Sequence, residues 1–144
     1  MTESSNPYFL DSNIWLYALL NRPNPSEADN RKRQIADSLI DSPVVVISIQ
    51  VINEVYANLR KKSNFSENQI QHLIQSFYNG CQIVEMSQAT LLFASNLRTQ
   101  HNFSFWDGLI VAAALQANIS ILYSEDMQDG LKVNNQLEII NPFK

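Results

Sequence analysis

The stretch from Phe105 to Ala117 constrains the fold more than any other part of the sequence. Almost every position in it is apolar or small, so a helix formed here has no polar face and is predicted to lie inside the protein. Asp107 is the exception. A carboxylate in such surroundings is costly unless it is hydrogen-bonded, paired with a cationic group or bound to a cation.

Two interpretations of Asp107 are open at this point. In the first, Ser104 is the N-cap of the helix, and the Asp107 carboxylate bonds back to the cap and favours the positive end of the helix dipole. That arrangement needs no function. In the second, Asp107 points into a cleft that it shares with other carboxylates, and a divalent cation holds them there.

Short apolar segments alternate with helical patterns along the rest of the chain. Strands are predicted over residues 7–10, 43–48, 82–86 and 119–123, with weak terminal strands over 131–133 and 137–140. Helices are predicted over residues 12–20, 27–41, 49–61, 67–79, 87–100 and 105–117. Because parallel strands need crossover connections, this order predicts an α/β fold: a three-layer α/β/α sandwich with a mainly parallel central sheet.

The length suits a single domain over residues 1–144. The longest apolar run, Leu109 to Leu115, is too short to cross a bilayer, and the N-terminus lacks the basic start and apolar core of a signal peptide. We therefore expect a soluble, cytoplasmic protein with no membrane association. Cys81 is the only cysteine, which excludes an intramolecular disulfide and a thiolate metal site.

Basic residues are clustered although the net charge is -4. Six of the ten lie in two triplets, Arg31-Lys32-Arg33 and Arg60-Lys61-Lys62. Either triplet can be a solvated helix face. If both lie beside an acidic cleft, they form a track for a phosphate backbone instead.

Three acidic residues are expected near one edge of the sheet. Asp11 follows the first strand, Asp126 comes shortly after the strand over 119–123, and Glu54 lies in the helix after the strand over 43–48. Ligands of parallel sheets bind at the carboxyl ends of the strands. Each acid also has a purely structural alternative: Asp11 or its neighbour Ser12 as a helix cap, Asp126 as a turn residue and Glu54 as a solvent-facing side chain.

Helical periodicity alone places Glu54 in solvent, nearly opposite the apolar side of its helix. That apolar side consists of Ile49, Ile52, Val55, Tyr56 and Leu59.

In the helix over 87–100, the residues expected to face inward are Leu91, Leu92, Ala94 and Leu97.

Four segments, in chain order, resemble the four acidic motifs of PIN-domain ribonucleases. They are Phe9-Leu10-Asp11-Ser12-Asn13-Ile14, Ile52-Asn53-Glu54-Val55, Ser104-Phe105-Trp106-Asp107 and Leu122-Tyr123-Ser124-Glu125-Asp126. More narrowly, the chain is similar to the VapC-type toxins of prokaryotic toxin–antitoxin pairs, which are usually single PIN domains of about this length. The specificity lies in the ordered set, since an Asp after a strand is common.

The resemblance implies an acidic quartet that holds Mg²⁺ or Mn²⁺. Its members are Asp11, Glu54, Asp107 and Asp126. Asn13 and Ser124 match polar positions that orient the acids or contact substrate. Glu125 and Asp129 are further acids beside the fourth motif, and the sequence leaves open which acid of this segment points inward.

A metal-dependent mechanism suits such a quartet. Crowded carboxylates repel one another, and a hard divalent cation with oxygen ligands removes that cost. Magnesium keeps several waters, one of which can attack a phosphate in line. The resemblance therefore implies an endoribonuclease that leaves a 5′-phosphate and a 3′-hydroxyl, with Arg60, Lys61 and Lys62 binding the RNA strand. It also implies a cognate antitoxin as partner and a homodimer.

Other classes of protein remain alternatives. A receiver-type signalling domain also has an acidic magnesium pocket at the edge of a parallel sheet, but it normally has adjacent acids after the first strand, where Ser12-Asn13 follow Asp11. A phosphatase with an Asp nucleophile usually has a second Asp where Asn13 stands. The last alternative is a catalytically inactive PIN-like module that binds nucleic acid or protein and uses its acids only as caps.

Overall fold

The computed structural model describes residues 6–144, and its elements follow the predicted order with ends that differ by at most two residues. The strands are β1 (Tyr8–Leu10), β2 (Val45–Ser48), β3 (Gln82–Val84), β4 (Ile121–Tyr123), β5 (Lys132–Val133) and β6 (Leu137–Ile140). The helices are α1 (Ser12–Leu19), α2 (Glu27–Ile40), α3 (Ile49–Lys62), α4 (Glu67–Gly80), α5 (Gln88–Gln100) and α6 (Phe105–Gln116).

The six strands form one sheet in the order β3-β2-β1-β4-β6-β5. β1 lies between β2 and β4 and is parallel to both, with Phe9 opposite Val46 on one side and Leu122 on the other. Among the strands of residues 6–144, the β5–β6 pair is antiparallel and every other pair is parallel. The predicted mainly parallel sheet is confirmed.

The strand order reverses between β1 and β4. The chain passes from β1 to β2 and then to β3 on one side, and it returns to place β4 on the other side of β1. Because parallel crossovers are right-handed, α1 to α4 lie on one face of the sheet and α5 and α6 on the other. The carboxyl ends of β1 and β4 therefore flank the crevice at which open α/β sheets bind ligands.

Helix α6 is the most buried helix of the described chain, as its apolar sequence predicts. Every residue from Gly108 to Leu115 is buried. Gly108 permits a close approach to α5, since a Cβ atom there would lie 3.3 Å from the carbonyl oxygen of Ala94. The helix leads through a short turn into β4, so its N-terminus, with Asp107, lies at the carboxyl edge of the sheet.

Two expectations about apolar helix faces are wrong. Trp106, in the first turn of α6, is 58% exposed, and Gln116, its last residue, is exposed too, so this helix meets solvent at both ends. In α5, Leu91 and Leu92 are 45% and 63% exposed, whereas Leu97 is buried. The buried stripe of α5 is Thr90, Ala94 and Leu97, which share one face at helical spacing. The hydroxyl of Thr90 is satisfied there because it donates to Gln116 Oε1 at 2.7 Å.

Within residues 6–144, no helix combines the length and the apolar character that spanning a membrane requires.

Candidate active site

Asp11 is the most buried acid of the described chain, with an exposed fraction of 3%. It follows β1 directly and caps α1: its Oδ1 accepts the Ser12 amide at 2.7 Å. Its Oδ2 accepts the Ser124 hydroxyl, which lies just after β4, at 2.8 Å. Burial raises the pKa of Asp11 to about 7, and the negative charges of Glu54 and Asp107 add to the rise, against the two hydrogen bonds.

Glu54 faces the end of β1 rather than solvent, so the orientation expected from periodicity is wrong. Its Oε1 accepts the Ser12 hydroxyl at 2.8 Å, and its Oε2 accepts the Gln50 side-chain amide at 3.0 Å. The reason is that α3 packs against α1 as well as against β2. Val51 is accordingly buried, whereas Tyr56, which was expected on the apolar side, is 39% exposed.

The cap interpretation explains only half of the contacts of Asp107. Its amide donates to Ser104 Oγ at 3.1 Å, as an N3 residue should. In the described structure, no hydrogen bond runs from the Ser104 amide to the Asp107 carboxylate, in contrast to Ser26 and Asp29, which form both bonds of a capping box. Burial raises the pKa of Asp107, and the charges of Glu54 and Asp126 raise it further.

Asn13 and Ser124 join Asp126 to Asp11. Asn13 Nδ2 lies 3.3 Å from Asp11 Oδ2 and 3.2 Å from Asp126 Oδ2, so one amide group donates to both carboxylates. Ser124 Oγ accepts the amide of Asp126 at 3.2 Å while its hydroxyl donates to Asp11. The side-chain oxygen Oδ1 of Asn13 accepts the backbone amide of Glu125 at 3.2 Å, which fixes the backbone after β4.

The other two acids of this segment have partners elsewhere. Glu125 accepts hydrogen bonds from Lys32 Nζ at 2.6 Å and from the Tyr17 hydroxyl at 2.5 Å. Asp129 accepts the Asn141 amide at 2.7 Å. Of the acids after β4, Asp126 is therefore the one whose carboxylate bonds to a residue touching Asp11. The contacts of Ser12 and Gln50 with Glu54 and the Lys32–Glu125 pair were not predicted from the sequence. Only Gln50 could have been found from local spacing, because it lies one helical turn before Glu54.

The basic triplets are used unequally. Lys32 forms an ion pair with Glu125. Arg60 forms one with Glu67, in which Arg60 Nε lies 3.2 Å from Glu67 Oε1. Lys61 and Lys62 are exposed, and no ion pair in the part of the chain that the structure describes involves either of them. Lys62 lines a depression together with Asn13 and Asp126. Of the three basic residues predicted to bind the RNA strand, Lys62 is the one that lines a depression together with an acid of the quartet.

The donor set fits a hard divalent cation. It consists of carboxylates alone, which Mg²⁺ and Mn²⁺ prefer, and mutual repulsion contributes to the raised pKa of Asp11 and Asp107. Within residues 6–144, no three acidic, His or Cys side chains are already close enough to form a metal site. Binding would need the carboxylates to draw together, which the half-buried Asp107 and the exposed Asp126 can do by rotating their side chains.

The chain belongs to the PIN domain family, whose model matches residues 8–130. This membership confirms the predicted family and decides against the receiver-type and phosphatase alternatives. The sequence matches no curated protein at a significant level.

Several solved structures share the fold. A toxin–antitoxin complex from Klebsiella pneumoniae is 18% identical, with a TM-score of 0.67 over 94% of this chain and 97% of that chain. VapC20 of Mycobacterium tuberculosis, a Sarcin-Ricin loop cleaving toxin, is 18% identical, with a TM-score of 0.63 over 83% and 89%. VapBC2 from Rickettsia felis, bound to a DNA fragment from its promoter, is 22% identical, with a TM-score of 0.57 over 83% and 87%. At these identities the likeness is one of fold.

The raised pKa of Asp11 predicts a pH-dependent stability of the metal-free protein. Between about pH 4 and pH 7, the folded state keeps a proton on Asp11 that the unfolded chain has lost, so stability falls as pH rises through this window. Asp11→Asn removes this term. The stability of the variant relative to the parent should therefore improve by roughly 4 kcal/mol between pH 4 and pH 8.

Urea unfolding of both proteins with chelator present, at a series of pH values, measures this difference. Groups common to both proteins largely cancel in the comparison. If the two stability curves stay parallel from pH 4 to pH 8, Asp11 titrates near its ordinary pKa in the folded protein, and neither burial nor the neighbouring acids raise that pKa.

Proposed function

We propose that this protein is a divalent-metal-dependent endoribonuclease. The metal ligands of the proposal are Asp11, Glu54, Asp107 and Asp126. The observation that supports it most is their convergence from four segments onto the point where the strand order reverses, where they influence one another's charge. Membership in the PIN family supports nuclease activity.

The neighbouring residues have positioning roles in this proposal. Ser12 and Ser124 hold the two oxygens of Asp11, and the Ser12 hydroxyl also donates to Glu54, so Ser12 links these two acids. Asn13 keeps Asp126 within reach of them. A bound Mg²⁺ or Mn²⁺ would neutralise charge on the phosphate and supply an activated water for in-line attack. Lys62, which lines the same depression as Asp126, would hold a phosphate of the strand.

RNA is the proposed substrate, and cleavage is proposed to leave a 5′-phosphate and a 3′-hydroxyl. The support is the fold shared with VapC20, which is a Sarcin-Ricin loop cleaving toxin. A water attacking phosphorus in line with the 3′-oxygen produces those ends.

A non-catalytic binding module is the second candidate. The observation that favours it is that the acids of residues 6–144 do not yet form a three-ligand metal site and are held by serine, asparagine and glutamine donors. The presence of all four acids argues against it, since caps alone would not need the half-buried Glu54.

The variant Asp107→Asn distinguishes the metal-dependent nuclease from the non-catalytic binding module. If Asp107 is a metal ligand, the variant should lose RNA cleavage with Mn²⁺ and should lose the rise in melting temperature that Mn²⁺ gives the parent. Its metal-free stability should equal or exceed that of the parent, because one crowded charge is gone. If Asp107 is only a cap, stability should fall by about 0.3 to 1 kcal/mol and cleavage should persist.

Asp37→Asn, at an exposed position of α2, is the matched control and should behave as the parent. Cleavage at the parental rate by Asp107→Asn would remove the catalytic assignment. Absence of cleavage and of Mn²⁺ stabilisation in the parent itself would favour the binding module.

Replacing Lys61 and Lys62 together with alanine tests the phosphate contacts. RNA binding should weaken for all sequences, and the slope of log affinity against log salt should decrease by about 1.4, because two fewer counterion sites on a single strand are released. Filter binding across a salt series gives the slope, and Lys132→Ala, which removes one lysine charge on β5, is the control. An unchanged slope would make these lysines an ordinary solvated face.

A toxin role with a cognate antitoxin is the biological part of the proposal. Its support is that the structural neighbours include a toxin–antitoxin complex and the VapBC2 pair. Expression of the chain alone should slow growth, and co-expression of the antitoxin should relieve the effect. Asp107→Asn at equal expression is the control, and normal growth with active protein would contradict the toxin role but not the nuclease.

A homodimer belongs to the same proposal. The exposed Leu91 and Leu92 of α5 offer apolar surface to a second copy.

A further inference from the structure

Three depressions are linked by shared lining residues and pass Asp107 and Asp126; together they are called the furrow. The first is lined by Lys61 and Lys62 and shares Lys62 with the second. The second contains Asn13 and Asp126 and shares Asp126 with the third. The third lies beside Asp107 and has a volume of about 390 Å³. A strand that follows the furrow would therefore pass the acids with an end on either side.

The two ends of the furrow differ in chemistry. The first two depressions have Lys61, Lys62 and Arg22 in their walls. The third has no Lys or Arg in its wall, and it carries the carboxylates of Asp107 and Asp126 on the side towards the cluster. The lysine end attracts phosphates, whereas the wall of the third depression offers no basic side chain to hold one, so this depression suits an uncharged part of a nucleotide.

Amide side chains and an aromatic pair line this third depression, which we call the amide pocket. The pocket is lined by Gln100, His101, Asn102, Phe103, Gln128 and neighbouring residues. In the described part of the chain, the amide groups of Gln100, Asn102 and Gln128 form no hydrogen bond, and all three side chains are exposed. Amides without partners can pair with the polar edge of a base.

The aromatic pair consists of a buried ring, Phe103, and a half-buried ring, His101. Phe103 is buried, and its carbonyl oxygen accepts Arg98 Nε at 3.2 Å. The half-buried His101 ring lies on it, with ring centroids 5.4 Å apart and planes 36° apart. A supported ring at the edge of a depression is a surface on which an unpaired base can stack.

We propose that the amide pocket binds one unpaired base beside the scissile phosphate. The substrate is then a single-stranded RNA segment whose backbone is held at the lysine end and whose sequence is read at the opposite end. The inference rests on the proposed nuclease function, since the acids define where the scissile phosphate lies. His101 supplies stacking, and Asn102 and Gln128 supply hydrogen bonds to the base edge.

The experiment compares His101→Ala, His101→Phe and the double variant Asn102→Ala/Gln128→Ala. A random single-stranded RNA pool is cut with Mn²⁺, and the new 5′-ends are sequenced. The double variant should cut with a relaxed base preference at one position beside the cut, and kcat/KM on the preferred sequence should fall about tenfold. His101→Ala should lose about tenfold on all sequences, and His101→Phe should restore most of that loss because it keeps the stacking surface.

Gln88→Ala is the matched control, since Gln88 is exposed and lies at the other end of α5 from Gln100, roughly 18 Å away. A second measurement is the binding of short single-stranded RNAs by fluorescence anisotropy with chelator present. There the pocket variants should weaken binding without changing the salt slope, whereas the Lys61 and Lys62 variant changes it.

The outcomes separate this inference from the proposed function. If the parent cuts RNA and the pocket variants keep its rate and base preference, the amide pocket is not a base site and the nuclease assignment stands. If the parent cuts no RNA, the proposed function fails and metal-free binding decides: parental affinity in the pocket variants overturns the base site, and weakened affinity supports it. Variants that alter only binding of a protein partner also overturn it.

Discussion

The hydrogen bond between Ser124 and Asp11 is the contact on which the rest of the candidate site depends. It joins residues 113 positions apart in sequence and ties the end of β1 to the end of β4, where the strand order reverses. Ser12 extends the link to Glu54, and Asn13 extends it to Asp126. Because Asp11 has almost no exposure, it cannot rotate away, and the other acids are arranged around it.

The arrangement is a balance between burial, repulsion and neutral donors. Burial and neighbouring charge raise the pKa of Asp11 and of Asp107, while hydroxyl and amide donors offset part of that cost for Asp11. A divalent cation would offset more of it, since it would face several carboxylates at once. The fold therefore tolerates a cluster of acids with raised pKa, an arrangement that is common at functional sites.

The charged residues around this cluster divide into a structural and a free set. Lys32 and Glu125 hold α2 to the segment after β4, and Arg60 holds α3 to the start of α4. Lys61 and Lys62 stay exposed beside the furrow, and the amide pocket at its other end has no Lys or Arg in its wall. The two ends of the furrow therefore differ in chemistry, and a bound strand would be distinguished by its orientation, which a cluster of acids alone would not achieve.

The sequence by itself determined the order of the elements, the parallel sheet and the burial of α6. It also determined that Asp11 and Asp126 follow strands. These features follow from local periodicity and from the geometry of parallel crossovers. Only the tertiary structure decided the direction of Glu54, the acid after β4 that faces Asn13, the lysines left without partners and the exposed side of α5. Those depend on contacts such as Ser12 to Glu54, 42 residues apart, and Lys32 to Glu125, 93 residues apart. A helix such as α3 that packs against two neighbours has two buried sides, and a single apolar stripe in its sequence reveals only one of them.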